Sequence, residues 1–281
     1  MEYTVKDVTL YYEIHGSGMP VLMIHGWSPD HRLMKGCMEP IFQSLEKPWM
    51  RVYFDLPGMG KTPGKPWITG SDPMLEVILG FIDGVIPNRP FLVAGESYGG
   101  YLARGLVKKR PEMVNGLLLI CPLKTPYVVT PEGVDKGDVP EVLQVLERDE
   151  ALLQSLSPAD RESFTAINVL QTPRVWERFR DEIMPGLQLA DTDFLSHTLG
   201  QAVPFSFDVD ALEPPYTKPT LILMGRQDTS VGYRDQWQLI EGYPRASFVV
   251  LDKAGHNLQI EQDMLFARLV KEWLDRVSAE S

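Results

Sequence analysis

Ser97 stands in Gly95-Glu96-Ser97-Tyr98-Gly99-Gly100, directly after the apolar run 91–94 and directly before a helical stretch, 98–109. In that context G-x-S-x-G describes a tight strand-to-helix turn that exposes the serine hydroxyl above the strand end. Glycines two residues either side let neighbouring backbone approach without a clash. The helix N-terminus below favours negative charge developing nearby. A hydroxyl so placed becomes a nucleophile when a base takes its proton, and the matching chemistry is acyl transfer.

The base should project from a loop at the same sheet edge. Five histidines are present, and only His256, in Asp252-Lys253-Ala254-Gly255-His256-Asn257, follows the last apolar run and precedes the final helix. His15 falls in a hairpin turn, His25 before a loop glycine, and His31 and His197 in loop or inserted segments. An acid that fixes the imidazole tautomer should follow another strand, between serine and histidine in chain order. Asp228, in Gly225-Arg226-Gln227-Asp228, does so. The other strand end offers Cys121-Pro122-Leu123-Lys124 and no carboxylate, while Asp252 reads as a turn residue and Asp235 as helical. Ser97, Asp228 and His256 are the expected catalytic residues.

An acyl-transfer intermediate also needs two N–H donors for its oxyanion. The backbone N–H of Tyr98, next to the nucleophile, is expected to be one. Trp27, in His25-Gly26-Trp27 after the run 21–24, is expected to supply the other, with His25 fixing the loop by hydrogen bonds. The following loop, Asp55-Leu56-Pro57-Gly58-Met59-Gly60-Lys61-Thr62, lacks G-x-x-x-x-G-K-[ST], so its glycines do not make a nucleotide site.

The elements that position these residues are legible as runs. Residues 3–5 and 9–14 alternate like an opening hairpin closed by Gly16-Ser17-Gly18. Runs 21–24, 52–54, 91–94, 117–120, 220–224 and 248–251 are almost uninterruptedly apolar, as in strands of a parallel sheet covered on both faces. Helical patterns lie between them, one starting at Ser71-Asp72-Pro73, one over 98–109, and an amphipathic one over 258–277. The expected fold class is therefore α/β, a doubly wound, mostly parallel eight-stranded sheet. Residues 123–205 break the rhythm, with no convincing strand but helix starts at Ser157-Pro158 and Thr172-Pro173. They read as a helical cap inserted after the fifth parallel strand, leaving 1–122 and 206–281 as the core.

Composition excludes several classes. No apolar run reaches the roughly 18 residues of a membrane span, and the charged N-terminus does not resemble an export signal. Two distant cysteines argue against a disulfide framework or a zinc site, so a metal-free protein in the reducing cytoplasm is expected. The net charge of −11 argues against nucleic acid as a partner. The insertion holds 7 Lys/Arg against 14 Asp/Glu, a surplus read as a solvated outer face.

In their order along the chain, His25-Gly26-Trp27, Asp55-x-Pro57-Gly58-x-Gly60, Gly95-x-Ser97-x-Gly99, Gly225-x-x-Asp228 and Gly255-His256 resemble the α/β-hydrolase superfamily over nearly the whole chain. The resemblance implies hydrolysis of a small-molecule substrate through a covalent acyl-enzyme, without a cofactor, and places residues 123–205 where that family carries a variable cap. Departures narrow the choice. Ser97 stands where haloalkane dehalogenases and epoxide hydrolases carry aspartate, and Glu96-Ser97-Tyr98 differs from the G-G-S-W-G of proline iminopeptidases. Glu96-Ser97-Tyr98 is similar locally to serine carboxypeptidases, which are much longer, secreted and disulfide-bonded. Small carboxylic esters are the expected substrates, with carbon–carbon bond hydrolysis and a small aminopeptidase as alternatives. A receptor or scaffold on the same fold would carry a broken triad, and here all three members are present. Trp176, Phe179, Phe194, Phe205 and Phe207, in or beside the insertion, are expected either to form an apolar substrate pocket or to glue the insertion to the sheet.

Overall fold

Alternate residues of the central strands leave the sheet on opposite faces, and both sets are apolar. Leu22, Ile24, Leu117 and Leu119 enter one buried cluster, while Val21, Met23, Leu118 and Ile120 enter another. Such strands need helices on both sides. In the computed structural model, residues 1–126, 128–130, 133–135, 138–198 and 204–280 are described. Eight strands form the main sheet: β1 (Glu2–Val5), β2 (Val8–His15), β3 (Met19–Ile24), β4 (Trp49–Phe54), β5 (Phe91–Glu96), β6 (Val114–Ile120), β7 (Thr220–Gly225) and β8 (Ala246–Leu251). Their spatial order is β1-β2-β4-β3-β5-β6-β7-β8. The strands from β3 onward are mutually parallel, and the β1–β2 hairpin joins antiparallel to β4. The apolar runs thus lie within the six parallel strands, whose full lengths exceed them by one to three residues.

Helix α1 (His31–Gln43) supplies the second cluster, while α2 (Ser71–Val85) and α3 (Tyr98–Lys109) supply the first. α2 starts at Ser71 as expected, with Gly70 as its cap residue; the Ser71 hydroxyl lies 3.2 Å from that of Tyr98.

The long insertion follows β6, which is the fourth parallel strand and not the fifth. It holds α4 (Glu150–Ser155), α5 (Pro158–Thr165), α6 (Pro173–Glu182) and α7 (Met184–Leu189). Contrary to the reading of no strands, short pairs also occur, Val128–Thr130 with Gly133–Asp135 and Glu147–Arg148 with Leu170–Gln171. Segments of two or three residues carry too little pattern to be seen in sequence. Helix α8 (Tyr233–Trp237) follows β7.

The closing helix is interrupted. α9 (Leu258–Glu261) and α10 (Asp263–Ser278) meet at Gln262, whose φ of −121° and ψ of 42° are not helical. Apolar residues lie on both sides of this break and no Gly or Pro marks it, which is why a single helix was expected. No helix among the described residues is long and apolar enough to cross a membrane.

Trp273 of α10 is fully buried against the sheet, and its Nε1 donates to Pro219 O at 3.0 Å just before β7. Trp273→Ala should lower unfolding free energy by about 3–5 kcal/mol, the cost typical of emptying a large buried aromatic site. Urea denaturation would read this as a lower midpoint at unchanged slope.

Candidate active site

The turn from β5 into α3 forces Ser97 to a φ of 51°, a left-handed value that side-chain-bearing residues seldom adopt. The surroundings hold it there. Ser97 N donates to Ile120 O at 2.9 Å, and its carbonyl accepts from Gly100, Tyr101 and Leu123 amides at 3.0, 3.2 and 2.9 Å. A Cβ on residue 99 would lie 2.3 Å from Ile24 O, so glycine is required for α3 to sit this close to β3. Ser97 occupies the cap position of α3 without a side-chain hydrogen bond to it, which leaves the hydroxyl uncommitted to the helix.

Asp228 is buried in the loop after β7, where its Oδ1 accepts from the amides of Ser230 and Val231 at 2.7 and 2.9 Å. Its Oδ2 lies 2.8 Å from His256 Nδ1. The two loops are bound to each other by Arg226 N to Leu251 O and Gln227 N to Ala254 O, at 2.8 and 2.9 Å. His256 Nε2 faces the buried carboxylate of Glu96, with Oε1 3.3 Å away. Burial opposes charge on the imidazole, but Asp228, Glu96 and Glu261 outweigh it and raise its pKa to about 9. Burial likewise pushes the Glu96 carboxyl up to about 7.

The loop carrying His256 is tied on both sides. Glu261 Oε2 accepts from Gly255 N at 2.6 Å, while its Oε1 accepts from Val169 N and Leu170 N of the insertion at 2.6 and 3.3 Å. Asn257 donates to Asn168 Oδ1 at 3.0 Å. Burial pushes Glu261 up to about 7 against the three amides that favour its anion.

Ser97 and His256 border a cavity of about 730 Å³, together with Trp27, Ser28, Tyr98, Leu123, Pro126, Ile167, Thr192, Leu195, Ser196 and Ser230. The Trp27 and Tyr98 rings meet edge to face at 5.4 Å. Behind them His25 holds its loop through both ring nitrogens, Nδ1 to Gly26 O at 2.8 Å and Nε2 accepting from Leu56 N at 3.0 Å. Burial lowers its pKa, so the ring stays neutral in this role.

None of the five aromatics read as either pocket or glue lines this cavity. Trp176 and Phe179 pack on Phe164 at 5.3 and 5.5 Å, in the cluster that joins the insertion to α1. Phe194 crowds against Gly58 and Gly64, although its neighbours Thr192, Leu195 and Ser196 border the cavity. Phe205 stacks on Tyr101 and on Phe207, at 4.5 and 4.7 Å, and its amide donates to the Tyr101 hydroxyl at 2.9 Å. These rings gain more from mutual packing than from a solvent-filled space. Apart from Tyr98, the wall residues come from loops or from the short helical segment at 192–198, too brief to show a sequence period. Glu96 carried a signal that was passed over, since the last residue of a strand covered on both faces should be buried.

Among the described residues, two buried groups bring three possible metal-ligand atoms within 4.8 Å of one another: Cys121, Asp228 and His256, and Asp30, His31 and Asp55. Both already serve other bonds. Asp30 caps α1 and pairs with Arg32, and Asp55 accepts from His31 Nδ1 at 2.6 Å and from Lys61 N at 2.8 Å.

The strand order, the strained serine at the β5–α3 turn and the buried Asp–His pair define an α/β-hydrolase architecture. A family model described as the alpha/beta hydrolase family matches residues 21–269, and the chain belongs to that family. A pimeloyl-[acyl-carrier protein] methyl ester esterase of Legionella pneumophila (strain Paris) is 23% identical over 267 residues, covering 95% of this chain and 100% of the relative. A 2-hydroxymuconate semialdehyde hydrolase of Pseudomonas sp. (strain CF600) is 25% identical over 268 residues, covering 94% and 89%. An alpha/beta superfamily hydrolase from Oenococcus oeni PSU-1 superposes with a TM-score of 0.80 at 28% identity, over 99% of each chain. Family and relatives together support hydrolase activity.

Glu261→Ala leaves the buried amides of Gly255, Val169 and Leu170 without their acceptor. An unsatisfied buried donor costs on the order of 1–3 kcal/mol. The expected outcome is a destabilisation of at least that size in thermal or urea unfolding. Amide hydrogen exchange should accelerate at 169–170 and at 255 together.

Proposed function

We propose that the protein is a serine hydrolase that cleaves small carboxylic esters through an acyl-enzyme. The observation that carries the reading is that His256, 2.8 Å from the buried Asp228, borders one cavity with a serine at the strained turn. His256 Nε2 takes the Ser97 proton as Oγ attacks the ester carbonyl. Asp228 keeps the other ring proton on Nδ1 and stabilises the imidazolium that forms. Backbone N–H groups of Tyr98 and Trp27 receive the oxyanion; that of Tyr98, in the first turn of α3, has no partner within the helix. The imidazolium then gives its proton to the departing alcohol, and a water activated by the same base cleaves the acyl-enzyme.

Residues 123–205 serve as a cap in this reading, since Leu123, Pro126, Ile167 and Leu195 make the apolar wall that would cover an acyl or alcohol group. Carbon–carbon bond hydrolysis is the second reading. It is supported by the likeness to the semialdehyde hydrolase, and the same serine and base would serve it.

Ser97→Ala or His256→Ala should each reduce kcat on p-nitrophenyl esters by about 10⁴–10⁶-fold, because such groups act as a unit. Labelling by a fluorophosphonate should vanish in Ser97→Ala; a variant that kept more than about a tenth of the turnover would overturn the assignment. Across p-nitrophenyl esters, a vinylogous diketone and amino-acid anilides, kcat/KM is expected to be highest for the esters. Turnover of the diketone alone would move the reading to the second one.

A protonated imidazole cannot accept a proton, so carboxylates that stabilise its cation move the inactive form to higher pH. The acid limb of kcat/KM should therefore lie above the ordinary histidine value of about 6.5, toward the value of about 9 that the surroundings give His256. A limb below about 6.5 in a pH–rate profile contradicts this.

A further inference from the structure

In a neutral histidine whose Nδ1 proton is bonded to a carboxylate, Nε2 presents a lone pair. Here Nδ1 is bonded to Asp228 at 2.8 Å, and Nε2 lies 3.3 Å from Glu96 Oε1. A lone pair facing an ionised carboxylate at that distance is repulsive, so a proton belongs between them, on the nitrogen as imidazolium or on the oxygen as a carboxylic acid. In either form Nε2 is already engaged and cannot accept the Ser97 proton. Glu96 is 2% exposed, so water does not screen the contact. Nor is there slack around the carboxylate, because a Cβ on residue 26 would fall 2.0 Å from Glu96 Oε2. Glycine in His25-Gly26-Trp27 thus makes the space in which this carboxylate sits.

We infer that Glu96 is a positioning residue for His256, whose carboxyl competes with the Ser97 hydroxyl for Nε2 and holds the resting base in a shared-proton pair. The inference rests on the reading of His256 as the base for Ser97. Activation then requires the shared proton to leave to solvent, or to pass from Nε2 to the Glu96 carboxylate while the imidazole turns to the serine. No atom or electron is gained or lost in the second route; one N–H bond becomes one O–H bond.

The charged and titratable groups around the pair come from several elements. His256 is faced by Asp228 from the loop after β7, Glu96 from β5 and Glu261 from α9, with the Cys121 thiol at the end of β6 beside Asp228. Glu96 is further influenced by the Gly26 amide, which favours its anion, and lies near the Cys37 thiol of α1. Of these, Asp228 and Glu96 are the carboxylates on the imidazole nitrogens, and only Glu96 occupies the nitrogen that would take the serine proton.

The test is Glu96→Gln, which keeps the shape and removes the ionisable group. A carboxylate within about 4–6 Å moves a partner's pKa by 1–3 units. The acid limb of kcat/KM should therefore move at least about one pH unit lower, and fluorophosphonate labelling at pH 6 should quicken by about tenfold. A limb that stays in place or moves up overturns the inference. If the variant does not fold, the wild-type protein answers the question by NMR with ¹⁵N-histidine and ¹³C-glutamate. The Nε2 and Glu96 carboxyl resonances should titrate in shared steps, whereas independent steps at their ordinary values would overturn the coupling. Failure of wild-type Ser97 to label at any pH would remove the underlying serine reading instead, and the NMR titration would still decide the contact itself.

Discussion

A left-handed residue at the mouth of a parallel sheet is the constraint around which the rest is arranged. Strain of this kind costs on the order of 1–3 kcal/mol and persists only where neighbours over-determine it. At Ser97 they do so from three directions: β6 receives its amide, the first turn of α3 and the start of the insertion donate to its carbonyl, and β3 presses on Gly99. The same bonds that hold the turn also place it. Leu123 N on the Ser97 carbonyl brings the insertion's first residues beside the hydroxyl, and Leu123 consequently becomes part of the cavity wall.

The second requirement is electrostatic. Three buried carboxylates, Glu96, Asp228 and Glu261, surround one imidazole, and burying unpaired charge is costly. Each is compensated differently. Asp228 has two backbone amides and the ring, Glu261 has three amides, and Glu96 has the ring and the Gly26 amide. Glu96 is the least compensated by backbone donors, so it depends most on the charge of His256. That dependence makes the two groups a coupled pair rather than neighbours.

Sequence reasoning reached the parts of this arrangement that backbone geometry dictates. Ser97 follows from the glycines that let a strand turn into a helix, and Asp228 and His256 follow from the ends of two apolar runs that form neighbouring parallel strands. It did not reach the cavity wall, because Ser28, Ile167 and Ser230 sit in loops and Thr192 and Leu195 in a helical segment too short to show a period. Of the two readings that aromatic density in the insertion left open, pocket or glue, the packing of the rings favours glue for a physical reason. Large rings bury best against one another, as Trp176 and Phe179 do on Phe164, and that signal reports a core rather than a binding surface. The break at Gln262 was equally invisible, since neither Gly nor Pro marks it and apolar residues lie on both sides.

The insertion also does more than cover a cavity. Ile167 borders the space beside Ser97, and the three residues after it, Asn168, Val169 and Leu170, carry the bonds that reach Asn257, next to His256, and Glu261, which also holds Gly255. Four consecutive residues therefore serve as wall and as anchor of the proposed base. A side chain changed at 167 acts on the backbone that positions the imidazole as well as on whatever occupies the cavity. Fit and turnover are then coupled through this short segment, because a displaced wall pulls on the amides that Glu261 holds. The geometry makes independent tuning of the two at this wall difficult, whereas Leu195 and Thr192, which border the same space, have no such bonds to the histidine loop among the described residues.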